Sequence, residues 1–217
     1  APFDFPIYKS DKQLEEERDS ILRNYNPYFY YDSSVLQVQS DKFSKSFDLK
    51  LENYLKSDQL KEQNSYRKQL FSNNAKEFKS YALEVLNQIY WAGIIESNEI
   101  TEGLKADDEI IILKNKLADV YTYSNIYTEK KAYQEVINNV NQYLENNKTK
   151  IKNLDFYKTI NLYEFIEPNV LYDQKTSENV KSEMLSNISL TRGIKKKKKK
   201  IISQGEIIDN QLYRILE

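Results

Sequence analysis

Apolar residues fall at helical spacing through most of this chain. Phe71, Ala75, Phe78, Ala82, Val85 and Ile89 advance by four, three, four, three and four residues, a single continuous buried face. With Gly93 where a left-handed C-cap belongs, they predict a helix over about Leu60 to Ala92. Upstream, Ser10 and Gln13 form a capping box that opens a helix over about Asp11 to Asn24, with Leu14, Ile21 and Tyr25 inward and Asn26-Pro27 ending it. A second helix takes Asp32, Ser33 or Ser34 as its cap and repeats Phe43, Phe47, Leu51 and Tyr54 at helical spacing. Helix returns at about Glu129 to Leu144, with Ala132, Val136, Val140 and Tyr143 on one face, before a charged link over Asn146 to Lys152.

The period changes in three places. Phe3, Phe5 and Ile7 alternate between Pro2 and Pro6 and predict an extended lead-in. Glu109 to Leu113 is short and β-branched, Lys114-Asn115-Lys116 is a polar turn, and Leu117 to Tyr123 alternates, which together predict a hairpin. The last fifty residues carry most of the backbone punctuation. Pro168 biases Glu167 toward extended geometry, and Thr176 caps a helix to about Asn187 with Val180, Met184 and Ile188 inward. Leu190 to Ile194 and Ile201 to Ser203 are strand-like, Gly205 suits a tight turn, and Asp209 caps a short helix bearing Leu212 and Leu216. The expected fold is α+β and predominantly helical: long helices, a small central hairpin and a C-terminal helix-hairpin-helix cassette. It is expected as one domain over 1–217, with a helical body at 1–165 and the cassette at 166–217.

Composition then narrows the chemistry. With neither His nor Cys, the chain lacks the commonest general base, the commonest transition-metal ligand, a thiol nucleophile and any disulfide. A net charge of -1 over 217 residues gives no global pull toward nucleic acid. No apolar run reaches the length of a membrane span, and the start at Ala1-Pro2, without Met, suggests a mature or excised segment.

Three clusters invite functional readings beside plainer ones. Lys195, Lys196, Lys197, Lys198, Lys199 and Lys200 form a candidate anionic-surface patch, although a solvated hairpin tip is the reading favoured by flanks that lack interleaved aromatics and arginine. Glu15-Glu16-Glu17 and Asp107-Asp108-Glu109 could supply an acid and base pair or hold a hard cation, but neither has a calcium-loop spacing and a solvated face explains both. Tyr28, Phe29, Tyr30 and Tyr31 with Tyr90 and Trp91 could line a ligand groove, although core packing and a membrane-proximal surface are both favoured over it. No phosphate loop, dinucleotide fingerprint or nucleophile elbow is present. Catalytic and metal-binding residues are therefore not expected in this segment.

The terminal cassette resembles a known pattern. Glu167-Pro168-Asn169-Val170-Leu171-Tyr172-Asp173, Thr176-Ser177-Glu178, Gly193 and Ser203-Gln204-Gly205-Glu206-Ile207-Ile208-Asp209 with Tyr213 and Leu216 are similar to the end of the extracellular domain of the seven-transmembrane HD receptor family. Pro2, Phe3 and Phe5 resemble the segment leaving the first membrane helix, and Ile89-Tyr90 with Gly93-Ile94-Ile95 resembles an internal helix end. Two departures stand out: Lys195 to Lys200 replaces a Gly-containing repeat, and Lys181 is the nearest basic residue where the family carries arginine.

The resemblance implies a bacterial membrane protein with one helix before this domain, six after it, and a cytoplasmic HD domain that hydrolyses cyclic di-AMP. An extracytoplasmic sensor domain, tethered to the membrane, would couple an outside signal to that hydrolase. A structural or dimerisation module that docks an envelope protein is the rival reading. Implied partners are the parent's own transmembrane helices and HD domain, an envelope ligand or protein, and a second copy of the chain. Neither nucleic acid nor a cofactor is expected. Both flanks join membrane helices in this arrangement, so the two ends should lie close together.

Overall fold

A computed structural model describes residues 4–57, 60, 63–151, 153–197, 202, 207 and 213. In chain order the elements are β1 (Phe5–Tyr8), α1 (Asp11–Arg23), β2 (Tyr28–Tyr31), α2 (Ser34–Lys56), α3 (Ser65–Ala92), β3 (Ile94–Ile95), α4 (Glu99–Glu102), β4 (Glu109–Lys114) and β5 (Leu117–Thr122). A 3-10 turn at Tyr123–Asn125 leads to β6 (Tyr127–Thr128), α5 (Glu129–Asn146), α6 (Leu154–Lys158), a 3-10 turn at Leu162–Phe165, β7 (Val170–Tyr172), α7 (Gln174–Ser186) and β8 (Thr191–Lys195). The α+β, mainly helical expectation holds. The chain divides into two compact units: unit 1 joins Ala1–Tyr25 to Gln174–Glu217, and unit 2 is the continuous stretch Asn26–Asp173.

In unit 1 the predicted lead-in is a strand. β1 pairs antiparallel with β8, Phe5 opposite Lys195 and Ile7 opposite Gly193. A bulge at Arg192 then brings Tyr8 opposite Thr191. α1 begins at the predicted capping box: the Gln13 amide donates to Ser10 Oγ and the Ser10 amide donates to Gln13 Oε1. Leu14, Ile21 and Tyr25 are the half-buried apolar positions expected there, and the Tyr25 hydroxyl donates to the Ser177 carbonyl on α7 at 2.8 Å. α7 starts earlier than the sequence suggests, so Thr176 is its third residue and lies inside the first turn instead of capping it. Among the described residues of unit 1, no apolar side chain is fully buried.

The core lies in unit 2. Aromatic rings from α2, α3 and α6 interlock: Phe47 stacks beside Phe78 at 6.3 Å, while Phe47 and Phe71 meet Phe156 edge-on at 5.7 Å and 5.3 Å, the T-shaped packing that suits the ring quadrupoles. α5 closes this cluster through Ala132 and Val136. α3 carries the predicted stripe, with Phe71, Ala75, Phe78, Ala82, Val85 and Ile89 all buried. Its start differs from the expected Leu60. Asn64 Oδ1 accepts from the Arg67 amide at 2.9 Å, and this cap sets the first turn at Ser65.

The hairpin is present, and it is one edge of a larger sheet. The described strands of unit 2 order as β5-β4-β2-β7-β3-β6. β4 pairs antiparallel with β5 through a two-residue turn, Asn115 and Lys116 having φ of 52° and 68°, as a type I′ turn requires. β2 runs parallel to β4 and antiparallel to β7, while β3 is parallel to both β7 and β6. Tyr28 to Tyr31 is therefore a central strand, with Phe29 buried against Ile110, Ile112 and Val170. Strands of two or three residues such as β3, β6 and β7 are too short to show alternation, which is why the sequence reading finds only the hairpin.

Candidate functional site

Three of the positions that carry the family resemblance meet where α3 runs into the sheet. At Gly93 the chain has φ 95° and ψ 137°, while its N–H reaches the carbonyls of Ile89 and Tyr90. Positive φ is as expected. The extended ψ is not that of a left-handed cap, and it sends the backbone straight into β3. Only glycine fits: a Cβ here would sit 2.9 Å from Val170 Cγ2.

Asn169, fully buried and preceded by the φ-fixing ring of Pro168, locks this junction from the other side. Its Oδ1 accepts from the Ile94 amide at 2.7 Å and its Nδ2 donates to the Tyr90 carbonyl at 3.0 Å. The Asn169 amide donates to the Ile94 carbonyl at 2.9 Å, and its carbonyl accepts from the Asp32 amide at 2.8 Å. One residue thus ties α3, β3 and the approach to α2 together. Tyr31 Oη adds a 3.0 Å bond to the same Tyr90 carbonyl. Tyr90 completes the clamp, its hydroxyl donating to the Phe165 carbonyl at 2.8 Å and accepting from the Glu167 amide at 2.9 Å.

Chemically the clamp is neutral. Burial is the main reason the Tyr90 hydroxyl is pushed up to about 12, so it stays protonated at ordinary pH and serves as a hydrogen-bonding post. Such a network can position a helix against a sheet.

The other candidates are dispersed or satisfied. Tyr90 belongs to the clamp and Phe29 to the core, so the aromatic groove does not form as a unit. Tyr31 and exposed Trp91 do come together around Lys114, whose Nζ lies 4.0 Å from each ring centroid. Sequence could not find Lys114, because its position depends on the β2–β4 pairing. Glu17 pairs with Lys9 and Glu16 with Lys12; Asp108 Oδ2 accepts from the Lys105 amide and Glu109 Oε2 from Asn26 Nδ2. Among the described residues no group of three or more carboxylates could hold a metal ion.

Phe5 and Gly193 lie in the β1–β8 pair. Lys195 ends β8, exposed Lys196 and Lys197 follow, and the Lys197 amide donates to Asp4 Oδ1, so the two flanks meet at this point. Pro2, Phe3, Lys198, Lys199, Lys200, Gly205, Glu206 and Asp209 lie outside the described residues, as do most of the second strand and the last helix of the expected cassette.

Two cavities in unit 2 have no counterpart in the sequence reading. An apolar one of about 230 Å³ is lined by α5 residues such as Val136, Val140 and Leu144 together with Tyr157. A mixed one of about 350 Å³ lies at the N-terminal end of α3, against Lys150 and Ile151.

No described helix is long and apolar enough to cross a membrane. No curated protein and no solved structure matches the chain significantly. A family model described as 7TM-HD extracellular matches residues 1–217, the whole length. The chain is the family's extracellular region, tethered to the membrane in its parent and distinct from the HD domain. It belongs to the extracellular domains of the seven-transmembrane HD receptors.

Proposed function

We propose that this domain is the sensory and regulatory part of a membrane-anchored bacterial HD phosphodiesterase, coupling an outside signal to cytoplasmic hydrolysis of cyclic di-AMP. The observation that supports it best is the β1–β8 pair. The strands nearest the two flanks are antiparallel neighbours, with Phe5 opposite Lys195, so a displacement of one is felt by the other. A signal acts through them only if it binds two conformations of the domain unequally.

The test is hydrolysis of cyclic di-AMP by the full-length parent in liposomes, with and without the residues of this chain. A changed basal rate, or a lost response to envelope extract, supports coupling. An identical rate and response in both proteins would sink it.

An assembly module remains the second reading, favoured by one feature. Among the described strands β5 is at the sheet edge, with Leu117 and Val120 exposed, a template on which another strand can pair. Sedimentation of the chain distinguishes the two. Self-association that Val120→Lys abolishes, with no effect of the domain on hydrolysis, would favour assembly over sensing.

A further inference from the structure

The cavity at the N-terminal end of α3 combines features that point to a ligand. α3 is 28 residues long, and Tyr66 and Arg67 of its first turn line this site, which therefore lies near the positive end of the helix dipole. Arg67 and Lys150 line the cavity, neither has an ion-pair partner among the described residues, and none of the described lining residues is acidic. Phe71 and Tyr66 supply aromatic surface beside them. A second observation is independent of the charges. Tyr157 lines the same cavity, is 1% exposed, and its buried Oη has no hydrogen-bond partner among the described residues. A buried hydroxyl left unpaired is costly, so such groups commonly mark a place that something polar completes. Tyr157 also borders the apolar cavity beside α5, but the lining there offers neither Arg67 nor the α3 terminus.

We propose that this cavity binds a small organic anion with an aromatic or apolar body, its charged end held by Arg67, Lys150 and the α3 terminus, and a polar atom meeting Tyr157 Oη. A volume of about 350 Å³ suits a ligand of metabolite size. The proposal rests on the sensory reading for its meaning, since this would be where an envelope metabolite enters. Carboxylate and phosphate ends share the required chemistry.

The experiment is calorimetric titration of the 217-residue chain with benzoate, phenyl phosphate and neutral benzamide. Saturable binding of at least one anion is expected in the millimolar range or tighter, about tenfold stronger than benzamide and weakened by salt. Which anion binds better tells carboxylate from phosphate. Arg67→Gln combined with Lys150→Gln should lose about tenfold in affinity at unchanged Tm. Tyr157→Phe should weaken binding without lowering Tm, because the hydroxyl it removes has no partner among the described residues. Equal binding of benzamide, no saturable binding of either anion up to about 10 mM, or affinity indifferent to the charge variants each overturns the proposal. Should binding fail while removal of the domain still alters the parent's hydrolysis, the sensory reading stands and this site alone is lost.

Discussion

A single side chain decides much of how unit 2 is held together. Asn169 satisfies the Ile94 amide and the Tyr90 carbonyl, both at a buried junction, with its own amide and carbonyl engaged as well. Truncating it to alanine orphans a donor and removes one of the bonds to an acceptor, so Asn169→Ala is expected to cost about 3 kcal/mol in chemical denaturation. A loss below about 0.5 kcal/mol would show that water or neighbours replace the amide. Gly93 was legible from sequence as a residue needing special backbone geometry, since few glycines interrupt this chain. The partners of Asn169 were not. Tyr90 and Ile94 lie more than seventy residues away, and no local periodicity encodes a contact of that separation.

At the level of elements, helices were readable where a buried stripe and a cap coincided. α1 opens at the residue pair that the sequence named, and α3 carries all six predicted apolar positions. α3 starts late because Asn64 caps it, a choice that the apolar pattern cannot register. The sheet was mostly illegible: β2 reads as an aromatic run, and β3, β6 and β7 gain strand character only from their neighbours. The β4–β5 turn places Lys116 at φ 68°, a conformation in which a Cβ is unfavourable. Lys116→Gly gives the Asn-Gly pair that type I′ turns favour, and should raise the unfolding free energy by about 0.5–1 kcal/mol. Urea melts check this; a fall would mean that the Lys116 side chain contributes more than the turn geometry costs.

Across the molecule, tyrosine dominates the response to pH. Burial raises Tyr31, Tyr81, Tyr90, Tyr123, Tyr127, Tyr143 and Tyr157, Tyr90 to about 12. Unfolded tyrosines ionise near pH 10, so above about that pH the folded state binds more protons than the unfolded one. Their contribution is fully present below about pH 10 and is lost as pH rises toward the folded values. On the acid side the Asp32 carboxyl is held low by the Ser34 hydroxyl and then the Ser34 amide, and its small contribution fades as pH falls through that lowered value. With no His in the chain, nothing of that kind titrates between. Tm should therefore be level from about pH 5 to 9 and drop on either side. A step near pH 6.5 would contradict this account.

The antiparallel pairing of β2 with β7 has a consequence for how this protein can be rebuilt. Chain enters unit 2 just before Tyr28 and departs just after Tyr172, and the Asp173 amide bonds to the Tyr28 carbonyl at 2.9 Å, so the doorway in and the doorway out are adjacent. Unit 2 has the topology of a guest housed within one connection of its host. A different guest whose termini are equally close could be grafted at Tyr25 and Gln174 without rethreading β1 and β8, giving chimaeras that keep this chain's flanking strands around a foreign body.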